Sequence, residues 1–388
     1  MPETFSLAFA GGGVKAAAFI GAVEVLQRAG HRFHRLVGTS AGAVAATALA
    51  VGFNPEEMQQ SLLPADDGDT AFQLTSLLEV PSAKDFPPAQ RSNAEFVKLT
   101  NLIVDGLLRH ADRQHVLHQR PALVAAIRLL ASSWSQPILL DALLKVPTFA
   151  QLYSLLEVGA AFSDRQLVAW IRSQLRRKKW DPEISLQGLY EATRRDLTLV
   201  AVDITNREVV VLNHRTAPAC PVWAAVRMSL SVPFLWPEVR WQPDWGLYRG
   251  QDMSDAAVVD GSVLSNFPMR LVVDPGPEIR AVMGPVDPPR IRPLGLYLDD
   301  RKSVPGVEPR EGLWSLKIAR QAARVVEAAS GPWDQEILER YRSDICFIGT
   351  RGFQALEFDL DAARLEALVN SGRCAMTDYL TKRGWARP

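Results

Sequence analysis

One serine in this chain stands in a setting built for chemistry. The stretch Leu36-Val37-Gly38-Thr39-Ser40-Ala41-Gly42 places Ser40 two residues after one glycine and two before another. This G-x-S-x-G spacing is that of a nucleophile elbow, in which a strained strand-to-helix turn pushes the serine hydroxyl outward. Backbone comes close on both sides of such a turn, and Gly38 and Gly42 leave room for it. The N-terminal N–H groups of the following helix favour negative charge at the site, as a tetrahedral acyl intermediate requires. The bland alternative is an ordinary serine in a glycine-flanked turn, because five-residue patterns recur by chance.

A second candidate is Gly11-Gly12-Gly13-Val14-Lys15. Gly11-x-Gly13-x-x-Ala16 fits a dinucleotide fingerprint between a strand and a helix. That fingerprint wants an acid about 20 residues on, at the end of the next strand. Here that strand ends Val37-Gly38-Thr39-Ser40, with no acid. The Lys15 position also fails the phosphate-loop pattern. The third reading is an oxyanion loop: bare backbone N–H groups beside the elbow, with Lys15 adding positive charge. The elbow on the adjacent strand favours it.

A serine nucleophile needs a proton acceptor. The six histidines are His31, His34, His110, His115, His118 and His214. The order Ser, acid, His is met only by Ser40, Asp203 and His214. His31 and His34 fall before the elbow strand, at its far end. The alternative is an aspartate that takes the proton directly. Asp260 suits this, since the short apolar run Ala256 to Val259 delivers it and Gly261 frees the turn. In a parallel sheet the strand C-termini gather on one edge, within reach of Ser40. Asp-Gly alone is also an ordinary turn.

The elements that must hold these residues follow the hydrophobic pattern. Phe5 to Ala10 reads as a buried strand, Ala16 to Arg28 as a helix, Phe33 to Val37 as a second strand, and Ala43 to Val51 as the helix after the elbow. That is a parallel βαβ unit. From Asn54 to Trp180 the chain turns mostly helical, for example over Ala122 to Trp134 and Gln166 to Leu175, and reads as an inserted cap. Arg172, Arg176, Arg177, Lys178 and Lys179 crowd one side and the end of its last helix, beside Trp170 and Trp180. Such a helix can lie on an anionic membrane, or it is a surface helix whose basic end suits the macrodipole. Strands follow at Asp196 to Ile204, Arg207 to Asn213, Leu294 to Leu298 and Ile345 to Ile348, with helices at Pro221 to Met228, Arg310 to Ala329 and Asp361 to Leu380. The tryptophans of Trp236 to Trp245 fit either an aromatic rim or packed rings.

With 43 basic and 43 acidic residues the net charge is 0, so nothing points to a nucleic-acid polymer as partner. Cys220, Cys346 and Cys374 match no metal or redox spacing. No signal peptide or apolar span is read, and the expected place is the cytoplasm, with peripheral membrane contact through local features.

Taken together, the glycine loop, the elbow and Asp260-Gly261-Ser262, in that order, resemble the patatin-like phospholipases. Val226-Arg227-Met228-Ser229-Leu230-Ser231-Val232-Pro233-Phe234 and Asn266-Phe267-Pro268 are similar to stretches around the family's catalytic aspartate. Ser262 stands where Gly or Ala is usual. The resemblance implies an α/β three-layer sandwich with a mainly parallel sheet, here one domain over 1–388 with a helical insert at about 54–180 and a closing helix at about 361–380. It further implies a Ser40–Asp260 dyad and an oxyanion site drawn from Gly11, Gly12, Gly13, Lys15 and Ala41. The implied activity is hydrolysis of phospholipid or lysophospholipid acyl esters, with no metal and no cofactor. Alternatives are a defence effector gated by a cyclic nucleotide and a serine-dependent acyltransferase.

Overall fold

The computed structural model describes residues 2–63, 74–86, 137–309 and 334–385. An eight-stranded sheet runs through the larger part of it. Its strands are β1 (Thr4–Phe9), β2 (Arg32–Thr39), β3 (Asp196–Asp203), β4 (Glu208–Asn213), β5 (Val239–Arg240), β6 (Ala257–Asp260), β7 (Ile291–Ser303) and β8 (Ile345–Arg351). The order is β5-β6-β3-β2-β1-β7-β8, with β4 also beside β3. β3, β2, β1, β7 and β8 pair in parallel, whereas β4, β5 and β6 enter antiparallel. Helices flank the sheet, and this explains the strand composition. All eight residues of β3 are buried, as are Phe5, Leu7, Ala8 and Phe9 of β1. Strands covered on both faces read as continuous apolar runs rather than alternating ones.

The glycine loop enters a short 3-10 turn (Gly13–Ala17) before helix α1 (Ala18–Arg28), so the expected helix from Ala16 starts as a tighter coil. β2 runs to Thr39, which brings the elbow directly onto the strand end. Helix α2 (Ala41–Val51) follows it. The C-terminal helix (Ala362–Lys382), capped by Asp361, packs on α1 in backbone contact. A Cβ on Gly21 would lie 1.9 Å from Val369 O, and one on Gly372 would lie 1.8 Å from Ala18 O. Trp241 is fully buried, donates Nε1–H to Gly246 O (3.0 Å), and packs against Trp245 (5.8 Å) and Tyr248 (6.3 Å). Among the described residues these are packed rings, not an exposed rim.

The chain divides into two units: Met1–Leu77, Arg165–Pro233 and Glu238–Pro388, and separately Leu78–Asp164 with Phe234–Pro237. The smaller unit has its own core. Helices Pro137–Leu143 and Pro147–Glu157 contribute Leu140, Ala150 and Tyr153, and Phe86 meets the Tyr153 ring edge-on at 4.9 Å. The division falls inside the expected 54–180 insert, because helix Arg165–Arg177 belongs with the sheet. There it buries Leu167, Trp170, Ile171 and Leu175. Arg172 pairs with Glu183 (2.8 Å) over the Trp223 ring, Arg177 donates to Gln60 (3.0 Å), and Lys178 pairs with Glu57 (3.0 Å). Trp180 donates Nε1–H to Val51 O (2.9 Å). Three of the five basic residues expected to face lipid are thus engaged within their own unit, whereas Arg176 and Lys179 are exposed. The helices expected over Ala122 to Trp134 and Arg310 to Ala329 lie outside the described residues.

Candidate active site

Ser40 has φ 54° and ψ −127°, a region that side-chain-bearing residues rarely occupy. Such strain costs on the order of 1–3 kcal/mol and persists only where surroundings enforce it. Those surroundings are visible. A Cβ on Gly38 would fall 2.2 Å from Gly42 O, and one on Gly42 would fall 2.5 Å from Phe9 O. The Ser40 N–H donates to Ser229 Oγ (3.0 Å), which in turn donates to Val200 O (2.6 Å). Ser229 is fully buried and ties the elbow to β3.

Asp260 reaches this point by an unexpected route. β4 covers one edge of β3 from Thr198 to Asp203. The other edge is shared: β2 pairs with Asp196 to Val200, and β6 pairs with Ala201 to Asp203 in the opposite direction. The C-terminal ends of β2 and β6 therefore run toward each other along one edge. The expectation that Asp260 ends a parallel strand is corrected here. Gly261 completes the meeting, since a Cβ on it would lie 2.5 Å from Val200 O and 2.9 Å from Thr39 Cγ2.

The Asp260 carboxyl is wholly buried. Oδ1 accepts the Ser262 N–H (2.8 Å), and Asp260 N–H donates to Ser231 O (3.0 Å). Oδ2 has no hydrogen-bond partner of full geometry, yet the Ser40 hydroxyl acts on this carboxyl. Burial pushes its pKa up to about 6, and Ser40 and Ser262 pull against that rise. A carboxylate that titrates here is ionised at neutral pH and can accept a proton.

The glycine loop borders the same spot. A Cβ on Gly11 would sit 3.1 Å from Ser40 Cβ and 2.2 Å from Asn266 Oδ1. Gly11 N–H donates to Asn266 O (2.8 Å) and Val14 N–H to Ala355 O (2.9 Å), so the loop is pinned on both flanks of Gly12 and Gly13. The Gly11 N–H is thus spent, and this residue enters the site as close backbone rather than as a donor. Gly13 has φ +58°, and a Cβ there would meet Ala355 O at 1.8 Å. Lys15 was expected to lend positive charge. Instead its buried Nζ forms a two-pronged pair with Asp300 (2.8 and 3.0 Å), which also accepts from Thr350 Oγ1 (2.6 Å). Its charge is matched locally, and its chemistry here is to anchor the loop.

The histidine alternative does not assemble. His214 lies by Asp196 (3.7 Å) and stacks on Tyr190 (3.6 Å between centroids). Asp196 opens β3, opposite Arg35, four residues from the level of Thr39. At the rise of a strand that is about 13 Å from the elbow. Burial lowers the His214 pKa. Asp203 caps its own turn, accepting from Thr205 N–H (2.8 Å) and Asn206 Nδ2 (2.7 Å). His31 accepts from Glu3 N–H (3.0 Å) and His34 faces Asp287 (3.5 Å), both at the N-terminal end of β2, the end away from Ser40. His110, His115 and His118 lie outside the described residues. Among the described residues no cluster of three His, Cys, Asp or Glu is arranged to hold a metal.

The sheet thus brings a strained serine and a buried aspartate together beside a pinned glycine loop. The model of one family, patatin-like phospholipase, matches residues 7–273. That is more than half of the chain, and the chain belongs to this family of lipid-hydrolysing enzymes. The uncharacterized protein YqhO of Bacillus subtilis (strain 168) is 25% identical over 373 residues, 94% of each chain. Among solved structures, VipD from Legionella pneumophila is similar at 16% identity and a TM-score of 0.48, covering 98% of this chain and 67% of VipD. ExoU of Pseudomonas aeruginosa, solved with SpcU, is similar at 17% identity and a TM-score of 0.39, covering 98% of this chain and 53% of ExoU. The chain thus spans about half the length of ExoU.

Proposed function

We propose that this chain is a serine lipid acyl hydrolase of the phospholipase A or lysophospholipase type, working with a Ser40–Asp260 dyad. The observation that carries this is the convergence of β2 and β6 on one edge of β3, which faces the Ser40 hydroxyl with the buried Asp260 carboxyl. Asp260 takes the Ser40 proton as Ser40 attacks the ester carbonyl. The Gly12, Gly13 and Ala41 N–H groups hold the oxyanion. The alcohol leaves with the proton from Asp260, and water, deprotonated by the same carboxylate, releases the fatty acid from acyl-Ser40. A single oxyanion donor is typically worth about 2.7–4 kcal/mol, so the loop geometry counts nearly as much as the nucleophile. The substrate is a phospholipid or lysophospholipid taken from a membrane or micelle surface.

Hydrolysis of p-nitrophenyl butyrate and release of fatty acid from lysophosphatidylcholine are the measurements. Ser40→Ala and Asp260→Asn each reduce both to background while the circular dichroism spectrum stays that of the wild type. Activity that survives Asp260→Asn but is lost in His214→Ala would replace the dyad by a triad. Wild-type protein inactive on every ester, or active independently of Ser40, would remove the hydrolase reading itself.

A further inference from the structure

Asp334 is a buried carboxylate that the proposed chemistry does not use. It is 6% exposed and, among the described residues, makes no ion pair. Its partners among the described residues all belong to one turn. Oδ1 accepts from Ser265 Oγ (3.3 Å), Oδ2 accepts the Asn266 N–H (3.2 Å), and the Phe267 N–H also acts on it. Asn266 in turn grips the glycine loop twice. Its carbonyl accepts the Gly11 N–H (2.8 Å), and its Nδ2 donates to Gly11 O (3.3 Å). Gly11 is wedged between Asn266 and Ser40. The same short segment therefore carries Asp260 at one end and the clamp on the oxyanion loop at the other.

We propose that Asp334 is a positioning residue: its carboxylate holds the Ser265–Phe267 turn, and through Asn266 sets the Gly11–Gly13 loop against Ser40. This rests on the hydrolase reading above. An ionised carboxylate only accepts, and this one takes the Asn266 and Phe267 N–H groups together with the Ser265 hydroxyl, which also lies 3.5 Å from Phe267 O. Protonation puts a donor where an acceptor is needed, so the turn loosens. Burial pushes the Asp334 pKa up to about 6, with the turn's donors pulling it back. The titratable side chain facing it across the turn is Tyr297 of β7, whose ring meets Phe267 at 5.3 Å. Burial, then Asp334, Asp299 and Asp300, push that phenol up to about 12, so it stays neutral wherever Asp334 titrates. Two carboxylates must then be ionised for full activity, one as base and one as brace.

The test uses p-nitrophenyl butyrate. In the wild type, log kcat/KM falls below pH 6 with a slope clearly steeper than one over the first part of the limb. Asp334→Asn lowers kcat by about tenfold to a hundredfold, the scale of a small misplacement at a reacting centre. It leaves KM within about twofold and reduces the acid slope to one. Asn266→Ala produces the same kcat loss, and the double variant is no worse than either single, since both act through one contact chain. A wild-type slope of one, an unchanged kcat in Asp334→Asn, or multiplicative losses in the double variant would each overturn the proposal. Should Asp334→Asn not fold, the wild-type slope and the Asn266→Ala kcat decide it. Loss of all Ser40-dependent activity in the wild type would instead count against the hydrolase reading, so the two failures are told apart.

Discussion

At the scale of single residues, the energetic tension of the site sits on Asp260. An ordinary aspartate titrates near 3.8, and burial holds this one at about 6. Below about pH 4 the carboxyl is protonated in both the folded and the unfolded chain and contributes nothing to stability. Between about pH 4 and 6 the unfolded chain ionises first, which favours unfolding, and the penalty is complete above the folded pKa. A shift of about two units corresponds to at most about 3 kcal/mol. Asp260→Asn keeps an acceptor for the Ser262 N–H and removes the buried charge. Its urea midpoint therefore rises above that of the wild type at pH 8 and matches it at pH 4. Equal midpoints at pH 8 would mean that Asp260 is better solvated than its burial implies. In the proposed dyad the same titration contributes to the activity profile: a base with a pKa near 6 gives an acid limb there and a plateau at neutral pH.

At the scale of elements, the elbow is a joint between β2, α2, β1 and β3, and its strength lies in backbone proximity. Gly42→Ala would drive a methyl group to 2.5 Å from Phe9 O. The strand and helix must separate, and we expect a loss of about 2–4 kcal/mol in unfolding free energy together with activity. Ser229→Ala removes only the bridge from Ser40 N–H to Val200 O. It leaves the buried Ser40 N–H without its acceptor and takes one donor from Val200 O, at about 1–3 kcal/mol, and releases the strained conformation of Ser40. Its kcat falls further than its stability, and a variant with wild-type kcat would show that the glycines alone hold the elbow. Helix Arg165–Arg177 supports a third expectation. Replacing Arg172, Arg177 and Lys178 by Gln breaks their contacts with Glu183, Gln60 and Glu57. It lowers the melting temperature by a few degrees, because each is a surface interaction of about 0–1 kcal/mol. It also reduces hydrolysis of anionic vesicles and of a soluble ester to a similar extent. Selective loss on vesicles would restore the lipid-facing role.

At the scale of the whole molecule, the sequence by itself determined the βαβ opening, the elbow, the glycine loop and the closing helix. The reason is local: buried parallel strands are continuous apolar runs, and tight turns between them demand glycine at fixed offsets. Ser40 and Asp260 were legible as residue types in suitable turns. The sequence also marked Asn266 and Ser229, but only within stretches similar to a family, with no pattern of their own to state a task. No helix among the described residues is long and apolar enough to cross a membrane. Direction and partnership were decided by tertiary structure. An apolar run of four residues does not state whether a strand lies parallel or antiparallel, so β6 was assigned the wrong sense, while the turn after it marked Asp260 in either case. A lysine beside glycines looks like free charge until Asp300, 285 residues away, is brought against it. Arg177 and Lys178 looked unpartnered because Gln60 and Glu57 precede them by more than a hundred residues. The brace at Asp334 likewise stands 68 residues from the Asn266 N–H it accepts. Periodicity and spacing encode what each residue does to its near neighbours along the chain. Charge pairing, burial and the sharing of one strand edge by two others depend on residues that only folding makes adjacent.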